Sequence, residues 1–328
     1  MLATGVRWVG FMALATLVGG LVVELVVLPP ATPMVDGARR RLRRLAMLCL
    51  VGLVATTAAD LVTRAQTMAG GASPAVIGAL PAVLRHTHFG AMWIARFALL
   101  ALALVLAAAS SRTLRVASLG LALAIALTTT LTGHAADWGD LTLSAGIDWM
   151  HVVATTAWTG GLIALALAVL KEARPWPLGV LGGCMRRFSR LAGFCVAAVL
   201  ATGLYNAWVQ LEGPSDLVTT IYGRVLAVKV LLVLGLLWFG AVNRYAVVPD
   251  LDGDRPADPD ERGVRLARRG FRESSRGRRP APSRLSTFVA REALLAVLVF
   301  ACTAILVDST PPRHVQHGEH HAGGSESP

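Results

Sequence analysis

The chain has 328 residues, of which 55% are hydrophobic and only 16% charged, with a mean hydropathy of +0.59. Soluble domains carry about 25% charged residues, so an ordinary water-soluble globule is excluded. The net charge of +11 would suggest nucleic acid in a soluble protein, but membrane proteins sort basic residues by side, and no nucleic-acid partner is expected here.

A membrane-spanning helix needs about 20 mostly apolar residues. Eight segments meet that requirement in chain order: Trp8–Leu28, Leu42–Thr67, Phe89–Ala109, Leu114–Thr132, Ile147–Leu170, Phe188–Leu211, Tyr222–Tyr245 and Phe288–Val307. The first exceeds a signal-peptide core, has only Arg7 before it and no clear small-x-small cleavage site after it, so it reads as a retained helix. The last is least hydrophobic at its start, where Arg291 and Glu292 sit. Prolines such as Pro29, Pro81, Pro175, Pro214, Pro249 and Pro311 punctuate the ends. The predicted fold is all-α, a polytopic bundle of eight transmembrane helices.

The loops set the orientation. The first loop carries Arg39, Arg40 and Arg41, with Arg43 and Arg44 just beyond it. With every second loop thereafter it collects 24 of the 31 basic residues, including Arg112, Arg115, Lys171, Arg186, Arg187 and ten arginines from Arg255 to Arg284. The opposite side holds seven: Arg7, Arg64, Arg85, Arg96, Arg224, Lys229 and Arg313. The positive-inside rule places the first set in the cytoplasm and both termini outside. Three parts follow: four N-terminal helices over 1–132, a four-helix core over 133–312, and a His-rich outer tail over 313–328. The cytoplasmic loop 249–287 has little apolar content and reads as disordered.

With this topology all eight histidines fall on the outer side. His86 and His88 precede or open the third span, His134 closes the fourth, and His151 lies about one turn inside the fifth. His314, His317, His320 and His321 occupy the tail, a composition prone to bind metal. Imidazole is the commonest protein metal ligand, and thioether sulfur selects Cu(I). His88 and Met92 are four apart and share a helix face, and an extended approach would point His86 and His88 the same way. His86, His88, Met92, His134 and His151 are therefore the candidate metal ligands. Met150 adjoins His151, and Asp148, three residues before it, is placed to orient its ring as an outer-sphere carboxylate. Trp158 is two turns deeper on the same face, where it would wall a cavity or simply pack.

Charges within spans are functional hypotheses by default. Arg96 and Lys229 should face the bundle interior and hold carboxylates or helix carbonyls, while Asp60 and Arg64 form an i,i+4 pair. The four cysteines form no C-x-x-C pair and suggest neither a disulfide framework nor a thiol-rich zinc site. Gly19, Gly20, Gly160, Gly161, Gly203, Gly235 and Gly240 mark close helix packing.

The run containing Asp148, His151, Trp158, Gly160, Gly161 and Leu162 resembles the D-x-x-H-x-x-x-x-x-x-W-x-G-G-L signature of the CopD copper-resistance family. Gly133-His134-Ala135, Arg186 to Arg190, Thr202-Gly203-Leu204, Tyr222-Gly223-Arg224 with Lys229, and Asn243-Arg244 resemble its other blocks. The resemblance covers roughly Gly133 to Pro312 and reaches the N-terminal helices only in layout. It implies a bacterial inner-membrane protein moving copper from outside to cytoplasm, with His134 and His151 as its foremost ligands and a separate CopC-like copper-binding partner. Tyr222, Arg224 and Lys229 are motif positions whose role it leaves open.

Two alternatives stand beside copper permeation. One is a cytochrome-b-like subunit in which paired histidines ligate haem. The other is a sensor or assembly factor that binds metal outside and alters a partner. No Walker G-x-x-x-x-G-K-[ST] motif and no Cys-Pro-Cys metal gate are present, so transport would be driven by a gradient.

Overall fold

A computed structural model describes residues 2–30, 32–68, 84, 87–108, 111–133, 142–173, 175–247 and 281–309. Eight long helices follow one another: α1 (Leu2–Val22), α2 (Asp36–Met68), α3 (His88–Ala107), α4 (Arg112–Thr130), α5 (Leu143–Ala164), α6 (Leu178–Gln210), α7 (Ile221–Val242) and α8 (Ala281–Asp308). All eight belong to helical segments long and apolar enough to cross a membrane, and the described residues contain no strand. The all-α, eight-span expectation holds.

Local chemistry starts the helices. Thr87, Ser111, Thr142 and Thr220 each accept a hydrogen bond from the backbone N–H three residues on, at the starts of α3, α4, α5 and α7. A side-chain oxygen there satisfies one of the amides that a helix start leaves unpaired. Several helices run further than hydropathy predicts. α2 begins at Asp36, α6 at Leu178 and α8 at Ala281, because polar turns remain helical beyond the apolar window. Residues 281–287, expected to belong to the disordered loop, are the first turns of α8; residues 248–280 lie outside the described residues.

Two helices form the centre. The α5 span has 72% of its most apolar window buried, against 11% for the α7 span. α1 packs along α5 and also touches α2, α4 and α8. The α1–α5 approach depends on glycine: a Cβ on Gly19 would overlap the backbone of Gly160 and Gly161, and one on Gly160 would overlap the Ala15 carbonyl. Without a hydrophobic drive between helices in lipid, such backbone proximity supplies the dispersion contacts that hold them.

The edge of the bundle is looser. α6 packs on α5 and α7 packs on α8, yet α6 and α7 make no extended contact with each other. The cleft is the region between these two helix pairs, bordered by α6 and α7 with α5 and α8 behind them.

Ion pairs fix both ends. Near the N-terminus, Arg7 bonds Asp60 at 3.1 Å and also meets Asp308, while Arg64 lies 3.4 Å from Asp60 and over the Trp93 ring. This network links α1, α2, α3 and α8, so Asp60 and Arg64 are more than an isolated pair. At the other end Arg115 is buried and bonds Glu24 through Nε and a terminal nitrogen at 3.1 and 2.7 Å. Charge counting treats Arg115 as a loop residue, but the structure places it in the core. Arg39 donates to the Pro29 carbonyl, Arg187 to that of Val27, and Arg41 pairs with Glu172. The arginines that set topology by number thus also close helix ends by geometry. π-helical turns at Val23–Val27, Leu165–Val169 and Asn243–Val247 continue α1, α5 and α7 at this same end.

Candidate functional site in the cleft between α6 and α7

Because α5 begins at Leu143, His151 lies eight residues inside the helix, about 12 Å along its axis and deeper than the expected single turn. Its Nδ1 is 2.9 Å from the hydroxyl oxygen of Thr202 on α6. That hydroxyl donates to the Ala198 carbonyl at 2.6 Å. A hydroxyl has a single hydrogen, so at this contact Nδ1–H is the donor and Thr202 the acceptor. The tautomer follows: the second ring nitrogen, Nε2, carries the lone pair, and the Val199 backbone also lies within reach of the ring.

Glycine again permits the approach. A Cβ on Gly203 would come within 3.3 Å of the His151 Cε1, so the ring occupies space that only a glycine leaves open.

The expected partnership of Asp148 with His151 is not formed. Asp148 accepts from Asn206 Nδ2 at 3.1 Å, which ties α5 to α6 one turn nearer the helix start. The buried Thr130 hydroxyl sits beside Asp148 without closing a well-aligned bond. Thr202, Asn206 and Gln210 recur every four residues and form a polar stripe on α6. That spacing in an otherwise apolar helix is the signal that sequence reasoning left unused.

Lys229 enters from α7. It lies close enough to interact electrostatically with Asp148 and His151 on α5 and with Cys302 on α8. Deeper on α5, Thr155 follows His151 by one turn with its hydroxyl unpartnered, and Trp158 is buried two turns on. The cleft therefore brings together an imidazole, a carboxylate, a hydroxyl, an amide and an amine, contributed by α5, α6 and α7.

The remaining candidates are distributed differently. His88 is exposed at the first position of α3, with Met92 half-buried one turn later. Met150 is half exposed and is not brought to His151. Tyr222 donates to Gln210 Oε1, clamping the start of α7 to the end of α6. Gly223 allows the turn at Asp216 to lie against α7, and exposed Arg224 bonds the Thr220 carbonyl. These three motif positions shape the α6–α7 connection and do not line the cleft together. Arg96 meets the expectation of holding helix groups: it bonds the Thr128 hydroxyl and carbonyl and the Thr132 hydroxyl, joining α3 to α4. His86, His134, His314, His317, His320 and His321 lie outside the described residues. Among the described residues, no three His, Cys, Asp or Glu side chains form a preassembled metal cage.

Fold and site together define a polytopic membrane protein that presents one braced imidazole to an intramembrane polar cleft. The family model for "Copper resistance protein D" matches residues 182–306, and that for "Copper resistance protein D-like, N-terminal domain" matches residues 1–143. The chain belongs to the copper resistance protein D family. The second match gives the N-terminal helices, which sequence resemblance reached only in layout, a family relationship of their own. The Asp148 to Leu162 run lies between the two matches.

Two curated relatives are similar. The "Copper transport protein CutJ" of Bacillus subtilis is 29% identical over 213 residues, 62% of this chain and 39% of that protein. The "Inner membrane protein YebZ" of Escherichia coli is 27% identical over 182 residues, 52% of this chain and 60% of that protein. The matched region thus spans less than two thirds of either relative. No solved structure matches.

Proposed function

We propose that this protein carries copper across the bacterial cytoplasmic membrane, inward from the periplasmic or outer side. The observation that carries the reading is His151: Thr202 holds its Nδ1–H, which leaves Nε2 as the nitrogen with the lone pair, beside Lys229 of α7. Its depth, about 12 Å along α5, fits a station inside the bilayer and not a surface docking point.

The proposed orientation rests on the 24-to-7 division of basic residues, with both termini outside. In this arrangement the outer His and Met residues, His86, His88, Met92 and His134, collect the ion. His151 receives it, and ligand exchange inside the bundle replaces water that lipid cannot supply. Met150, Asp148, Trp158 and Lys229 surround that step. The tail histidines act as a collector, and a separate CopC-like protein is the donor. In its favour are the family and the copper transport name of one relative; nothing among the relatives favours the haem-ligating alternative.

The test is copper uptake into vesicles containing the purified protein, with His151→Ala and His134→Ala beside the unaltered chain. Both substitutions should lower uptake with protein content unchanged. Full uptake in the His151→Ala protein rules out the proposed station.

A further inference from the structure

Glu292 occupies an unusual position for a carboxyl group. It lies on the buried stripe of α8 with Leu285, Val289, Ala296 and Val299, and is 3% exposed. Seven residues separate it from Leu285, where the membrane-length segment begins, so it sits about 10 Å inside that segment. A polar neighbour is Asn243, which opens the π turn ending α7 and whose amide is within hydrogen-bonding reach of the carboxyl.

The contact between the two groups is incomplete: the Asn243 amide reaches the carboxyl, yet an acceptor on each side is left over. Glu292 Oε1 and Asn243 Oδ1 are both buried acceptors without a donor. Other carboxylates in the spans have partners: Glu24 has Arg115, Asp60 has Arg7, and Asp148 has Asn206 with Lys229 nearby.

Among the described residues, no cation on the elements packed against α8 compensates Glu292. On α1, Arg7 is at the far end and Glu24 is held by Arg115. On α5, Asp148 and His151 are at the far end, while Lys171 and Glu172 close the near end, the latter paired with Arg41. On α7, Tyr222, Arg224 and Lys229 belong to the far half, and Arg244 is exposed and donates to the Ser189 carbonyl, beside the ring of Tyr245. Arg291, its neighbour on α8, is exposed. An unpaired carboxylate in such surroundings is strongly disfavoured, and intramembrane carboxyls of this kind mark ion or proton routes.

One hydrogen resolves both orphaned atoms. We propose that Glu292 is an intramembrane proton-carrying site, its carboxyl O–H donating to Asn243 Oδ1, and that it releases and regains this proton as copper moves. The site stands on the geometry alone; its coupling role rests on the transport reading above. Glu292 and the His151 cleft lie in opposite halves of the bundle: ten residues, about 15 Å, separate Glu292 from Cys302 on α8.

Two measurements on the full chain test this. The first is the infrared carbonyl stretch of a protonated carboxylic acid at neutral pH, recognised by its shift in deuterated water. It should be present in the unaltered protein, lost in Glu292→Gln and moved to higher frequency in Asn243→Ala, which keeps the carboxyl but removes its acceptor. A band absent from the unaltered protein, retained in Glu292→Gln, or unmoved in Asn243→Ala overturns the site. Should Glu292→Gln not fold, the Asn243→Ala band decides.

The second is copper uptake by vesicles under an imposed pH gradient. The gradient should change wild-type uptake several-fold and leave Glu292→Gln uptake unchanged, with copper-for-copper exchange preserved. Wild-type uptake blind to the gradient, or a Glu292→Gln response equal to wild type, overturns the coupling. Wild-type vesicles that move no copper at all defeat the transport reading, and the infrared result still decides the proton site.

Discussion

The hydroxyl of Thr202 accepts Nδ1–H of His151 at 2.9 Å while donating its own hydrogen to the carbonyl of Ala198. One side chain on α6 thus selects the tautomer of a ring on α5 and leaves the lone pair on its other nitrogen. Outer-sphere contacts of this kind are worth about 10–100-fold in metal affinity. Thr202→Val should lower copper affinity of the purified protein by about tenfold with folding intact, and Thr202→Ser should retain most of it. Equal affinity in the valine variant would show that the ring is held by something else.

Gly203 offers a separate probe of the same ring. A methyl group there would stand 3.3 Å from His151 Cε1, close enough to push the ring but distant from backbone. Gly203→Ala is expected to reduce copper uptake while leaving the thermal midpoint in detergent within a few degrees of wild type. A large loss of stability with normal uptake would contradict it.

The α1–α5 crossing should respond in the opposite manner. At Gly19 and Gly160 an added Cβ would meet backbone, which cannot rotate away. Overpacking of a tight core costs about 1–3 kcal/mol, and more where backbone must move. Gly160→Ala should therefore lower the unfolding midpoint clearly, measured by thermal denaturation of the purified protein. An unchanged midpoint would mean that α1 and α5 do not approach as described.

Arg115 and Glu24 form a buried ion pair, and removing one partner strands the other. Glu24→Gln or Arg115→Met alone should each destabilise by about 3–5 kcal/mol. The joint replacement should recover part of that loss, because neither charge is then left uncompensated. A double-mutant cycle on unfolding free energies provides the check, and strictly additive losses would refute the coupling.

Much of the architecture was legible in the sequence because lipid imposes simple rules. Backbone polar groups must be satisfied within each span, so eight long apolar runs translate directly into eight helices. Gly19 and Gly160 were among the small residues expected to mark close helix packing, though not as partners of each other. Helix ends were less readable. Asp36, Leu178 and Ala281 begin helices inside stretches whose polarity hides them from hydropathy.

Residue partnerships were the least accessible. Sequence spacing put Asp148 beside His151 on one helix, but spacing along a helix says nothing about what the neighbouring helix brings. α6 supplies Asn206 to the first and Thr202 to the second, so the pair is separated by its partners. Arg115 looked like a loop charge and Glu292 like a ragged helix start for the same reason: burial depends on which helix covers a given face.

The sequence by itself determined that this is an eight-helix membrane protein, and its charge pattern sets the expectation that basic residues gather on one side and histidines on the other. Those properties follow from transfer of each residue between water and lipid, which is local. The tertiary structure decided which imidazole nitrogen Thr202 holds, which arginine is buried and which carboxyl has no counter-charge among the described residues. Each of these is set by contacts between helices distant in the chain, where directional hydrogen bonds and low dielectric make the identity of the neighbour decisive.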